Sequence, residues 1–322
     1  MKKNSIYFGI LVAVMLGVTA FATYGMLNTG REGEEYQVSV IVSNSSSDRW
    51  IAFREGLKQG AADNHIQLNI VSTVEFAGLS EECQIIQREF ENGAKGVIVE
   101  PCSSQDEEGL LSGEVSEGAV IFVGTDVMPE GLHTVVMPDH YEVGSAIAGE
   151  LLKDYEGRTE GLTVGILCGN QEQLSMQKRL SGFLDAVEGT GIEVVWTAAE
   201  EGDRARELKS FQEEHPADVL ITLENDETEL AVDYLLTEEN SSCVLYGEGC
   251  SEKAVYYLDK GLIQGLIVPN EFHMGYLSME EIAKQLLYGA SPAQNREIEF
   301  LTINKENLYD VESQKILFPI VQ

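Results

Sequence analysis

The chain is poor in basic residues and in cysteine motifs. It has 21 Lys and Arg against 54 Asp and Glu in 322 residues, a formal net charge of −33. Such a charge repels phosphate backbones, which argues against nucleic acid as a partner. The five cysteines form no CxxC pair and have no closely spaced histidine partner. The sequence therefore predicts buried free thiols and neither a disulfide framework nor a metal site.

Sequence motifs of common enzymes are also missing. The five histidines show no HExxH spacing and none accompanies a serine nucleophile elbow, while the glycines form no GxxxxGK[ST] phosphate loop. Cys168 ends a predicted buried strand, where a cysteine is usually a small hydrophobic residue. We therefore expect a protein that is not an enzyme and that needs no cofactor.

One long run of residues near the N-terminus carries no charge. Residues 6–27 follow two lysines, and 22 helical residues at roughly 1.5 Å each would cover the hydrocarbon thickness of a bilayer. The preceding lysines predict a cytoplasmic start, with the rest of the chain outside the cytoplasm. Residues 20–22, Ala-Phe-Ala, also match a signal-peptidase site, so the segment could be a signal peptide that is cleaved after Ala22. The length of the apolar run favours the other interpretation, an uncleaved membrane anchor.

From residue 36 onward, β-branched runs alternate with amphipathic helix patterns. Runs that are apolar on both faces predict parallel sheets covered by helices. A short extended segment at residues 133–138 separates four strand candidates from five others, which favours two doubly wound lobes over one wide sheet. The nine candidates are residues 37–43, 66–72, 96–100, 119–124, 162–168, 192–197, 218–223, 243–247 and 265–269.

The loops that follow these strands are rich in polar side chains. In an open α/β sheet the ligand binds beyond the carboxyl ends of the strands. Asn, Asp, Glu, Ser and Arg in these loops, together with Trp50, suit a polyhydroxylated ligand whose hydroxyls donate and accept hydrogen bonds. Asn225 and Asp226 follow one such strand where a helix begins, so helix capping and ligand binding are both open interpretations.

Two segments carry a resemblance to a known family. "RLSGFLDAV" at residues 179–187 and "ENDETELAVDYL" at residues 224–235, with the order of the loops, resemble the ribose/galactose-binding branch of the type 1 extracytoplasmic solute-binding proteins of sugar ABC transporters. The resemblance runs from about residue 37 to residue 290. It implies an α/β fold of two doubly wound parallel-sheet lobes joined by a multi-strand hinge. The expected parts are an anchor or signal segment (1–27), a linker (28–36), lobe 1 (37–138 plus 271–297) and lobe 2 (139–270 plus 298–322).

The same resemblance implies a set of ligand-binding residues. The family's Arg, Asn and Asp contact sugar hydroxyls, and an aromatic residue in the first helix stacks on the sugar ring. The chain departs from the family after the first strand, where Asn-Pro-Phe-Phe is replaced by Ser-Asp-Arg-Trp at residues 47–50. It also departs after the fourth and ninth strands. The candidates are Trp50, Asp126, Arg179, Asn225, Asp226, Glu248 and Asn270, with Asp139 and His140 near the hinge.

These observations predict a binding protein outside the cytoplasm. The expected function is capture of a small polyhydroxylated ligand, a sugar, and its delivery to the permease of an ABC transporter. The alternative is a sensing module that presents the bound molecule to a membrane sensor kinase or receptor. We expect attachment to the membrane through residues 6–27 and a monomer, because the charge of −33 opposes self-association.

Overall fold

The computed structural model describes residues 36–106, 118–128, 133–199, 202–237, 243–292 and 295–319, together with residues 15 and 19. The chain divides into Met1–Glu35 and a compact unit, Tyr36–Gln322. Within the described ranges, no helix is long and apolar enough to cross a membrane. The predicted membrane segment, residues 6–27, lies outside the described residues apart from residues 15 and 19.

Strands and helices alternate along the compact unit. The strands in the described ranges are β1 (Gln37–Ile41), β2 (Gln67–Ile70), β3 (Gly96–Val99), β4 (Ala119–Val123), β5 (Thr134–Met137), β6 (Thr163–Leu167), β7 (Glu193–Ala198), β8 (Val219–Thr222), β9 (Val244–Glu248), β10 (Ile263–Pro269), β11 (Arg296–Glu297) and β12 (Phe300–Asn304). The helices are α1 (Ile51–Asn64), α2 (Leu79–Glu91), α3 (His140–Asp154), α4 (Leu174–Val187), α5 (Arg204–Glu214), α6 (Asn225–Thr237), α7 (Glu252–Lys260), α8 (Glu271–Tyr288) and α9 (Val311–Leu317).

The strands form two six-stranded sheets with the same topology. Their orders are β11-β5-β4-β3-β1-β2 and β12-β10-β9-β8-β6-β7. All strand pairs are parallel except β12, which runs antiparallel to β10. The prediction of two lobes built on parallel sheets is confirmed. The segment at residues 133–138, which was expected only to separate the two lobes, contains a strand of the first sheet, because β5 within it pairs with β4.

Helices bury both faces of each sheet, as the strand composition predicted. In the first sheet, β3 is buried throughout. Its Val97 and Val99 pack in a cluster with Ile86 of α2, whereas Ile98 packs in another cluster with Leu57 of α1. Alternate side chains of a strand point to opposite faces, so an apolar residue at every position requires a helix on each side.

Two helix pairs pack closely beside the points where the chain changes lobes. A Cβ added at Gly56 of α1 would lie 1.9 Å from the carbonyl oxygen of Phe272 in α8. A Cβ at Gly144 of α3 would likewise lie 1.9 Å from the carbonyl oxygen of Arg179 in α4. The chain passes between the sheets before α3, before α8, and between β11 and β12. Glycine at these contacts lets the backbones of the two helices in each pair touch.

Candidate functional site

A cavity of about 330 Å³ lies where the loops of the two sheets meet. Its wall on the first sheet comes from the loops after β1, β2 and β3, with side chains of Asn44, Arg49, Trp50, Glu75, Phe76 and Cys102. Its wall on the second sheet includes Asn170, Glu172, Gln173, Arg204, Glu224 and Asp226. Strand order reverses beside β1 and β6, and that reversal is where α/β sheets bind ligands.

Hydrogen bonds join the two lobes at the edge of this cavity. The side chain of Asn170 donates to the carbonyl oxygen of Cys102 at 2.8 Å, and that of Gln173 donates to the carbonyl oxygen of Pro101 at 2.8 Å. The hydroxyl of Ser104 accepts from the backbone N–H of Leu174 at 2.9 Å. The loop after β3 is thus fastened to the loop after β6, and the lobes are closed over the cavity.

Trp50 borders the cavity, but it is 1% exposed and packs in the core of the first lobe, and Arg49 covers part of its ring. As a ligand contact, Trp50 stays a prediction. The indole N–H donates to the carbonyl oxygen of Ser43 at 3.2 Å, which fixes the ring on the wall of the first lobe. The guanidinium carbon of Arg49 lies 4.2 Å from the ring centroid, and its Nη2 lies 2.6 Å from Oε1 of Glu100. Arg49 therefore occupies the side of the site where the family resemblance leads to an aromatic residue.

Arg179 and Glu248 form a buried ion pair and are not among the residues that line the cavity. Their side chains are about 6–8% exposed, and Nη1 of Arg179 lies 3.3 Å from Oε2 of Glu248. Arg179 also donates to the carbonyl oxygen of Leu223 and to Nδ1 of His140. Burial raises the pKa of Glu248, and the charges of Arg179 and Arg49 oppose that rise. As ligand contacts, both residues stay predictions.

Asn225 and Asp226 are neighbours in sequence but lie in different surroundings. Oδ1 of Asn225 accepts from the backbone N–H of Cys250 at 3.2 Å and from that of Ser251 at 3.0 Å. Asn225 is 2% exposed and ties the loop after β8 to the loop after β9. Asp226 is half-buried and lines the cavity. The oxygen of Asn225 thus joins two loops and does not cap the helix that begins there; as ligand contacts, Asn225 and Asp226 stay predictions.

Asp126 and Asn270 lie outside the set of lining residues and make local contacts. Oδ1 of Asp126 accepts from the backbone N–H of Val127 at 2.7 Å and lies 2.8 Å from Nε2 of His133. Oδ1 of Asn270 accepts from the backbone N–H of His273 at 3.0 Å, so Asn270 caps α8. Their assignment as ligand contacts also stays a prediction.

The two predicted hinge residues lie at the first crossover. Oδ1 of Asp139 accepts from the backbone N–H of Tyr141 at 3.0 Å and caps α3. His140 contacts both lobes, because its Nε2 lies within hydrogen-bond distance of the carbonyl oxygen of Gly124 while its Nδ1 accepts from Nε of Arg179 at 3.1 Å. Burial, and then the charge of Arg179, hold the pKa of His140 well below its usual range. The ring is therefore neutral, with its proton on Nε2.

Several lining residues were missed by the sequence analysis. Glu75 and Phe76 follow β2, Cys102 follows β3, and Arg204 follows β7. None of the predicted ligand-binding residues follows β2, β3 or β7. Parallel strands end at one edge of their sheet, so the same rule applied to every strand would have included these loops.

Comparison with known proteins gives the same fold. A family described as periplasmic binding protein domain matches residues 38–291. The chain belongs to this family. Its members bind ligands outside the cytoplasm, in agreement with the predicted side of the membrane and with the expectation of a binding protein in place of an enzyme. The comparison with curated proteins gives no match.

Three solved structures are similar over almost their whole length. A carbohydrate transporter solute-binding protein from Agrobacterium radiobacter, in complex with D-arabinose, is 16% identical, with a TM-score of 0.81 over 89% of this chain and 100% of that chain. A glucose-galactose binding protein from Geobacillus stearothermophilus is 19% identical, with a TM-score of 0.76 over 86% and 99%. A Caulobacter myo-inositol binding protein is 20% identical, with a TM-score of 0.76 over 88% and 98%. At these identities the similarity establishes the fold.

Proposed function

We propose that the chain captures a small sugar or cyclic polyol in the cavity between its lobes and delivers it to the permease of an ABC transporter. The observation that carries this proposal is the cavity of about 330 Å³, which lies at the carboxyl ends of both sheets and has hydrogen-bonding side chains on both walls. Its volume is within the range of about 300–1,000 Å³ that is usual for small-molecule sites.

The chemistry of the cavity wall fits a ligand with many hydroxyl groups. Asn44 and Asn170 both donate and accept, Asp226 accepts, and Arg204 donates. The partly exposed ring of Phe76 offers apolar surface for the C–H groups of a ring. D-arabinose and myo-inositol, which are bound in two of the similar proteins, are molecules of this class.

Closure of the lobes completes the proposed site, because its walls belong to different sheets. A ligand that contacts Asn44 on one wall and Asp226 on the other would stabilise the closed arrangement already joined by Asn170 and Gln173. Opening would release the ligand to a permease. We place the lobe boundaries at residues 37–138 plus 271–297 and 139–270 plus 298–322.

The proposed arrangement at the membrane follows from the N-terminal sequence. Residues 6–27 would hold a monomeric binding unit on the outer side of the membrane, close to its permease. Delivery is favoured over sensing because similar solved proteins are components of carbohydrate transporters. Chemical cross-linking on intact cells, followed by affinity purification, would recover a permease subunit; recovery of a sensor kinase in its place would favour the sensing alternative.

A thermal-shift screen tests the sugar proposal. Residues 36–322 hold both sheets and form one compact unit, so this fragment is a suitable reagent. Pentoses, hexoses and inositols are screened, and a ligand at 100 times its Kd adds about 2.7 kcal/mol to the free energy of unfolding. We expect Asp226→Asn to reduce the shift and Glu193→Gln, the same charge change on an exposed strand residue, to preserve it. If no compound of these classes raises the melting temperature, the proposal is wrong.

A further inference from the structure

A second cavity, of about 300 Å³, lies between the lobes and shares Arg49 with the first. We call it the rear cavity. Its walls are mostly apolar, with Ile51 at the start of α1, Pro269 at the end of β10, and Ile316 and Phe318 at the end of the chain. A surface of this kind offers few hydrogen bonds to a polyol, so the rear cavity suits a different class of ligand.

Glu271, the first residue of α8, is the polar group buried in this apolar wall. Glu271 is 6% exposed, and its Oε2 atom is buried without a hydrogen-bond partner in the described part of the chain. A buried polar atom that lacks a partner costs about 1–3 kcal/mol and is rare in folded proteins. An unpartnered carboxyl at the wall of an open cavity therefore indicates a ligand group that would satisfy it.

The neighbouring charges show what kind of group that is. Arg49 pairs with Glu100 at 2.6 Å and Arg179 pairs with Glu248 at 3.3 Å. These four are the charged groups that act on Glu271, and each arginine already has a carboxylate. Glu271 is thus the fifth ionisable group of the cluster, and no cation pairs with it in the described part of the chain. Burial raises its pKa to about 8, so the empty cavity keeps this carboxyl mostly protonated at neutral pH.

Two more carboxylates lie at this cavity. Asp48 and Glu252 line it and are exposed to solvent, one on each lobe. Together with Glu271 they give its wall three acidic groups, whereas its cation, Arg49, is held by Glu100. The field at this cavity therefore attracts cations and repels anions.

We propose that the rear cavity is a second binding site that takes a small organic amine. The ammonium group pairs with the carboxylate of Glu271, and the apolar body of the amine packs against Ile316 and Phe318. An ammonium ion balances the negative charge that Glu271 acquires when it loses its proton, and an aromatic or aliphatic body matches the apolar wall. Both lobes line the cavity, so the bound amine stabilises the closed form. The proposal does not rest on the sugar proposed for the first cavity, although the two cavities share Arg49.

The proton balance of this step is fixed by the protonated state of Glu271. An ammonium ion that binds the neutral carboxyl forms an ammonium–carboxylate pair and releases one proton to the solvent. Because the pKa in the empty site is above 7, we expect proton release when the amine binds at pH 7. A site that bound the amine through its apolar body alone would release none.

Calorimetric titration of the fragment 36–322 with 2-phenylethylamine tests the proposal. The matched probes are 2-phenylethanol, which has no charge, and 3-phenylpropanoate, which has a negative one. We expect saturable binding of the amine, at least about tenfold weaker binding of the other two, and proton release when the titration is repeated in buffers of different ionisation enthalpy. Glu271→Gln is expected to remove the preference for the amine, while Glu252→Gln, at an exposed carboxylate of the same cavity, changes its affinity less than about threefold.

Three results would overturn the proposal. Equal affinity for the amine and the alcohol would mean an apolar cavity without a specific charge partner. Full affinity in both Glu271→Gln and a cavity-filling variant, Ala52→Phe, would mean that the amine binds elsewhere. Binding only after removal of residues 320–322 would mean that the end of the chain is the natural occupant. Circular dichroism spectra of the variants establish that each is folded.

Discussion

We expect replacement of Asn225 to lower mainly the free energy of unfolding, and replacement of Asp226 to lower mainly the affinity for the ligand. Asn225→Ala removes the oxygen that accepts from the backbone N–H groups of Cys250 and Ser251. Ser251 is 2% exposed, so its N–H is not rehydrated in the variant. A buried donor left without an acceptor costs about 1–3 kcal/mol. With two donors affected, one of them only partly buried, we expect the free energy of unfolding to fall by about 2–4 kcal/mol.

Asp226→Asn changes a different quantity. The residue is half-buried, and the hydrogen bond that its Oδ1 accepts from Nδ2 of Asn225 is long, 3.4 Å. Stability should stay within about 0.5 kcal/mol of the original chain, because the new side chain keeps one acceptor oxygen and Nδ2 of Asn225 also donates to Glu229 at 3.2 Å. The new amide replaces an acceptor with a donor on the cavity wall, so a bound hydroxyl loses about 1–3 kcal/mol, which is roughly 5- to 150-fold in Kd.

Two assays on the same preparations separate these effects. Urea denaturation followed by circular dichroism measures the free energy of unfolding, and calorimetric titration with the sugar that gives the largest thermal shift measures affinity. An Asn225→Ala variant with unchanged stability and lost affinity would contradict the reasoning about the two loops. An Asp226→Asn variant with unchanged affinity would remove Asp226 from the ligand site.

Three further predictions concern the charge cluster, the interlobe contacts and the N-terminus. Because the pKa of Glu271 is raised, this carboxyl binds more protons in the folded state than in the unfolded state between about pH 4.5 and pH 8. The free energy of unfolding should therefore fall as the pH rises across this window, by at most about 1.4 kcal/mol per pH unit. In urea denaturation, Glu271→Gln should flatten this pH dependence. Gln173→Ala removes the hydrogen bond to Pro101 and should enlarge the radius of gyration measured by small-angle scattering, with recovery at saturating sugar; an unchanged radius would point to a rigid closed unit. The full chain should stay in the membrane fraction after a carbonate wash, and a secreted form that begins at Thr23 would support cleavage instead.

Local sequence patterns were enough to predict most of the strands and the edge of the sheets where the cavity lies. The apolar run at residues 218–223 became β8, and the helix after it begins at Asn225. Such a run has few alternatives, because β-branched residues that are apolar on both faces need cover on two sides. The segment at residues 133–138 was harder, since four residues of strand carry too little pattern to reveal that β5 pairs with β4.

The sequence by itself determined the alternation of strands and helices, the two lobes and the polar loops, because these depend on periodicity and on residues close together in the chain. The charge cluster depended on the tertiary structure. Arg49 meets Glu100 across 51 positions, and Arg179 meets Glu248 across the second sheet. The different roles of Asn225 and Asp226 also came from the fold: successive helical residues point about 100° apart, and the loop after β9 decides which of them is buried. Contacts between residues far apart in the chain depend on how the sheets and helices pack, and the local spacing of residues does not predict them.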